Sequence, residues 1–153
     1  MSSNSIKSGL PTVAFRAMGV PSVASFGSGD AAIFSSLGTY GFDTAGGYST
    51  VTGLYTVPVS GVYRVSAQLV ITATYSIGQA AAIYLMVNGS ANVFAGDVDF
   101  AAGSTGVLSV NASALIYLNL GDTVQVNPES TGSGPNFDVN PYRNWFELER
   151  IGD

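Results

Sequence analysis

A chain of 153 residues holds about one domain's worth of core, since compact domains cluster at roughly 100–150 residues and bury about 70% of their unfolded surface at that size. Its composition is 46% apolar but only 10% charged, against about 25% in an average soluble protein. That excludes intrinsic disorder and suggests that part of the apolar excess lies against other subunits. No cysteine or histidine is present, which excludes disulfide frameworks, thiolate or histidine-based catalysis and ordinary zinc centres. Five basic residues against ten acidic ones, spread along the chain, form no basic stripe for nucleic acid or an anionic membrane surface.

Residues 1–11 (MSSNSIKSGLP) read as a polar arm without the apolar segment of a secretory signal. Residues 12–18 (TVAFRAM) read as a first strand, closed by Gly19-Val20-Pro21. The Ser/Gly/Ala-rich stretch that follows reads as loop with one short strand around Ala32 to Ser35 and aromatic anchors at Phe26, Phe34, Tyr40 and Phe42. From Val62 to Thr72, Tyr63, Val65, Ala67, Leu69 and Ile71 share one face, the period of two of a half-buried strand.

Residues 80–87 (AAAIYLMV) differ: Ala81, Ile83, Leu85 and Val87 make one apolar face, and Ala80, Ala82, Tyr84 and Met86 make another. A strand apolar on both faces needs cover on both, the second from a layer, a loop or a neighbouring subunit. At about eight residues it falls far short of the roughly 20 needed to span a bilayer, so the chain is expected to be soluble. Asn88-Gly89 is a type I′ hairpin signal. Val107 to Leu120 reads as a long strand with Leu108, Val110, Ala112, Ala114, Ile116, Leu118 and Leu120 inward and Ser109, Asn111 and Ser113 on a wet side. After the Gly121-Asp122 turn, Thr123 to Asn127 continues with Val124 and Val126 inward. A turn-rich loop from Glu129 to Arg143 leads to a closing strand at 145–151. Eight to ten strands suffice for two packed sheets.

The segment GYSTVTGLYTVPVSGVY, residues 47–63, carries Tyr48, Thr52-Gly53, Tyr55-Thr56, Pro58-Val59, Gly61 and Tyr63 in an order that resembles the signature of the C1q/TNF-like jelly roll. The resemblance extends to the opening strand VAFRA, to Val87-Asn88-Gly89 and to Leu118-Asn119-Leu120-Gly121-Asp122-Thr123-Val124. It covers about residues 12–151 and implies an all-β, two-sheet antiparallel jelly-roll sandwich assembled as a homotrimer, with the domain at 12–153 following the arm. These motif positions are turn and packing residues, and none is assigned a catalytic or cofactor-binding role. The run Trp145-Phe146-Glu147-Leu148 departs from the family's closing strand, and no Gly-X-Y repeat precedes the domain. Within a trimer, Ala80, Ala82, Tyr84 and Met86 are the candidate face near the threefold axis; a loop lying over that face within one subunit is the alternative.

Asp97 and Asp99 alternate along an extended segment and are candidate calcium ligands, as in some relatives of the resembling family. Two carboxylates supply only part of the six to eight oxygens that calcium takes, so solvated loop carboxylates are the competing reading. No other cofactor is implied. Phe137, Tyr142 and Trp145, in and beside a Gly/Ser/Asn-rich loop, have the composition of an adaptable binding site for a carbohydrate or protein ligand; inward packing of the same aromatics is the alternative. The sequence is therefore read as a non-enzymatic trimeric structural or binding protein. The expected setting is a phage virion surface, as capsid decoration or fibre head, with residues 1–11 anchoring it to a capsid or tail protein. The alternative is a bacterial cell-surface or spore-coat adhesion head, or a secreted one.

Overall fold

The computed structural model describes residues 12–27, 29–99 and 104–153, and their side chains outside 91–105. Ten strands follow one another: β1 (Ala14–Met18), β2 (Phe42–Asp43), β3 (Tyr55–Thr56), β4 (Gly61–Tyr75), β5 (Ala80–Val87), β6 (Ser90–Asp99), β7 (Ser104–Leu118), β8 (Thr123–Ser130), β9 (Ser133–Phe137) and β10 (Trp145–Gly152). They form two antiparallel sheets, one in the order β2-β1-β10-β4-β7 and the other in the order β3-β8-β5-β6. β9 continues the line of β10 along β4, pairing Ile71 with Phe137 and Thr72 with Asn136. From β2 to β5 and from β6 to β9 each strand is followed by one in the other sheet, as the jelly-roll reading expects.

β4 and β7 are the longest strands and pair over their whole length, from Gly61 opposite Leu118 to Tyr75 opposite Ser104. The alternation read from the sequence is realised: Tyr63, Val65, Ala67, Leu69 and Ile71 are fully buried, as are Val110 and Leu118. They meet Ala81, Ile83, Leu85, Val124 and Val126 of the facing sheet in one continuous core. At one end the core is aromatic. Phe15 lies 4.7 Å from Tyr48, 5.0 Å from Tyr55 and 5.2 Å from Phe146, the last edge-on, within the range in which such pairs add to simple burial.

The motif residues act as turn and packing devices. Gly61 has φ +154°, and a Cβ there would meet the Arg150 side chain at 2.6 Å from Nε. Arg150 lies across that site, donating from Nε to the Ser60 carbonyl at 3.1 Å and pairing with Asp153. Asn88 and Gly89 both take positive φ, 55° and 64°, the backbone a type I′ hairpin requires.

Four local expectations change. Leu120, expected inward, is exposed. β7 stops at Leu118, and the Asn119–Asp122 turn, closed by Asp122 N–H donating to the Asn119 carbonyl at 3.0 Å, breaks the alternation. The strand expected around Ala32 to Ser35 is a single bridge between Ser22 and Ile33; Ala32 N–H bonds instead to Val126 on the edge of β8. β2 and β9 arise in segments read as loop. Both are short: β2 lies beside the longer β1 and β9 beside the 15-residue β4, which supply their hydrogen bonds.

Candidate functional site

One end of the sandwich carries a cleft of about 270 Å³ between the segment 34–40 and the turn at Pro141-Tyr142, floored by Met18, Gly19 and Phe34. Both walls are held by backbone geometry. Met18 N–H donates to the Leu37 carbonyl at 3.0 Å, and Gly19 N–H donates to the Asn144 carbonyl at 3.2 Å. Gly38 has φ +78°, and a Cβ there would collide with the Met18 carbonyl, so the wall sits as close to β1 as glycine allows. Phe34 N–H donates to the Tyr48 hydroxyl at 3.0 Å; burial pushes that phenol up to about 12, the Phe34 hydrogen bond opposing, so it stays neutral through the physiological range.

The opposite wall is a chain of side-chain-to-backbone turns. Asn140 N–H donates to Asp138 Oδ1 at 2.8 Å and Tyr142 N–H to Asn140 Oδ1 at 3.0 Å. Arg143 pairs with Asp138 at 3.4 Å, and its carbonyl accepts from Gln68 Nε2 at 2.8 Å. Beneath them Asn144 is fully buried, accepting from Val70 N–H at 2.8 Å and donating to the Asp138 carbonyl at 3.2 Å. A buried polar group with both ends satisfied fixes a loop in one conformation. Tyr142 thus stands on a rigid support.

The sequence candidates fall in different places. Tyr142 lines this cleft and is exposed. Phe137, beside it in the expected loop, is buried against Phe26, ring centroids 5.0 Å apart, and belongs to the core. Trp145 is part of β10, opposite Met18 and Gln68, and half-buried. The expected grouping of these three therefore reduces to Tyr142, joined by Tyr40 from a distant segment of the sequence. Tyr40 had a signal, an aromatic between Gly38 and Gly41, but nothing local indicated which loop it faces.

Ala80, Ala82, Tyr84 and Met86 lie on the outer face of β5 as the alternation requires; Ala82 is 6% exposed and the others are half-buried. Part of that face is reached from within the chain, because Tyr84 and Met86 border a groove shared with Gly27, Gly29 and Glu129. Asp97 and Asp99 are placed by backbone pairing opposite Ala82 and Ala80; their side chains lie outside the described residues.

The other sheet has a different outer face. Arg16 binds Glu147 at 2.5 and 2.9 Å, Arg64 meets Glu149 at 3.4 Å, and Ser66 lies 3.2 Å from Ser113. Between these pairs is a groove of about 330 Å³. Beyond it, on the end strand β7, Leu115 and Tyr117 are 62% and 59% exposed, with Val107 also exposed on the same side.

No family model and no curated protein matches the chain. Solved structures do. The chain is similar to Eiger TNF from S. frugiperda, with TM-score 0.71, 15% identity and 94% of each chain covered. It is similar to the globular domain of zebrafish complement 1qA protein at TM-score 0.60 and 17% identity, over 91% of this chain and 95% of that one. It is also similar to murine APRIL at pH 5.0, with TM-score 0.64 and 11% identity over 92% of this chain and all of the other. Likeness at such low identity speaks for fold, and the fold of this chain is the C1q/TNF-like jelly roll.

Proposed function

We propose that the protein is a non-enzymatic homotrimeric binding module whose protomers associate through β7. The carrying observation is the exposure of Leu115 and Tyr117 on the outer face of the strand that ends its sheet. An end strand presenting large apolar side chains invites pairing with another chain unless an assembly covers it. The groove between Arg16, Arg64, Glu147 and Glu149 lies elsewhere on the same sheet. A ridge at one place and a groove at another make a heterologous contact, which closes into a three-membered ring when its rotation is a third of a turn. The low charge content found in the sequence supports the same reading.

The trimer predicts a sedimentation mass three times the 15.7 kDa of the chain at micromolar concentration; a single-chain mass overturns it. The setting proposed for this module is a virion surface, with residues 1–11 as the anchor to a capsid or tail protein. Its support is the polar character of that arm, placed before a domain whose sequence offers no nucleophile–base pair. Mass spectrometry of purified virions tests the setting, and absence from every particle rejects it.

A further inference from the structure

The cleft at the end of the sandwich is lined without a single charged side chain. Tyr40 and Tyr142 stand on its two sides, 63% and 59% exposed, with ring centroids 6.1 Å apart and planes 45° from parallel. Ser35, Ser36 and Thr39 add hydroxyls to the same wall as Tyr40. Among the described residues, none of these five hydroxyls has a hydrogen-bond partner. Two large aromatic rings left open on rigid loops, beside a row of unengaged hydroxyls, are more than packing or turn formation requires.

We infer that this cleft binds one or two rings of a neutral saccharide. Pyranose rings have C–H faces that lie against aromatic rings, and Tyr offers such a surface with few torsions to freeze. Ser, Thr and Tyr hydroxyls donate and accept, matching the alternating demands of sugar hydroxyls. The volume, about 270 Å³, falls just below the roughly 300 Å³ at which drug-sized ligand sites begin, and limits the occupant to a short segment. Charged ligands fit poorly: the neighbouring Arg143 and Asp138 are paired with each other, and Asp138 also accepts from Asn140 N–H. The walls are preorganised by the Asn144, Asn140 and Met18 hydrogen bonds, so little ordering is needed on binding. The inference rests on reading the protein as a binding module but not on its trimerisation.

The test is a backbone-amide NMR titration of the full chain with lactose, maltose, cellobiose and diacetylchitobiose, alongside 3′-sialyllactose and choline, with mass measured in parallel by sedimentation. The expected result is shifts centred on residues 34–41 and 139–143 with at least one neutral disaccharide. Tyr40→Ala and Tyr142→Ala should each weaken that binding about tenfold or more, while Tyr40→Phe, which keeps the ring, should weaken it less. Shifts at the cleft from choline alone overturn the saccharide class, and shifts from sialyllactose alone overturn its neutrality, each while leaving a binding cleft. No shift there with any probe, or binding indifferent to both alanine variants, overturns the site itself. The sedimentation mass reports on assembly separately.

Discussion

The outer faces of β5 and β7 differ in how much of them is covered. β5 reads as apolar on both sides and in need of cover on both, and its outer residues are half-buried or, at Ala82, almost fully buried within one chain. β7 reads as apolar on one side and wet on the other, yet its wet side ends in exposed Leu115 and Tyr117. The difference lies in side-chain size and position in the sheet. β5 is an inner strand, paired with β6 on one side and β8 on the other, whereas β7, among the described residues, ends its sheet and pairs with β4 alone. Alternation tells which residues share a face; coverage depends on what stands beside that face.

The comparison breaks most directly through assembly. Leu115→Asp combined with Tyr117→Asp is expected to convert a trimer to single chains by sedimentation, since buried apolar anchors at an interface are often worth about 2 kcal/mol or more each. Met86→Asp on β5 is expected to leave the mass unchanged. The opposite pattern would move the interface to the face containing Ala80, Ala82, Tyr84 and Met86.

That contrast also shows what is legible in the sequence. The long strands, their inward residues and the Asn88-Gly89 hairpin follow from period and turn chemistry, which are local. β2 and β9 are not local: each has weak strand character and exists because a longer strand offers hydrogen bonds. Phe137 and Tyr142 look alike in sequence, yet one enters the core beside Phe26 and the other stands on turns set by Asp138 and Asn140. The cleft was half visible, because Tyr142 was singled out but Tyr40 reaches it only through the fold.

A second test sharpens the account of β5. If Ala82 is covered within the chain, Ala82→Leu should overpack its site and cost about 1–3 kcal/mol in denaturant unfolding. Ser109→Leu, on the exposed side of β7, should cost little in a single chain. Equal effects at the two positions would remove the distinction.

The sheets share an aromatic seam, and its phenols set an alkaline limit. The folded pKa of Tyr48 is pushed up to about 12 by burial, partly offset by the Phe34 hydrogen bond. Tyr55 is raised by burial, then by the Asp43 and Tyr63 charges. An unfolded tyrosine titrates near about 10, so the fold holds these protons longer. The contribution is complete below about pH 10 and is lost as pH rises through the folded values. Stability should fall over that window, and Tyr48→Phe should flatten the fall while costing about 1 kcal/mol at neutral pH for the acceptor removed from Phe34 N–H.

The smallest effect concerns the tie between the two compared strands. Asp122, in the turn after β7, accepts from Asn88 Nδ2 at 2.9 Å, at the end of β5, and from Asn119 N–H at 2.7 Å. Those hydrogen bonds, Asn88 first, hold its carboxyl below the ordinary carboxylate value, against a small opposing effect of burial. With the folded pKa depressed, the contribution is present above the unfolded value of about 3.9 and is lost as pH falls through the folded one. Asp122→Asn keeps one acceptor oxygen but no charge, so it should lower Tm slightly at neutral pH and leave a shallower decline in acid. Because Asn88 Oδ1 also accepts from Thr123 N–H at 2.9 Å, the Asn88 turn remains attached to β8 without Asp122, and the mass and the cleft titration should not change. Dissociation of the proposed trimer by this variant would mean that the turn after β7, rather than Leu115 and Tyr117 alone, positions the strand for its neighbour.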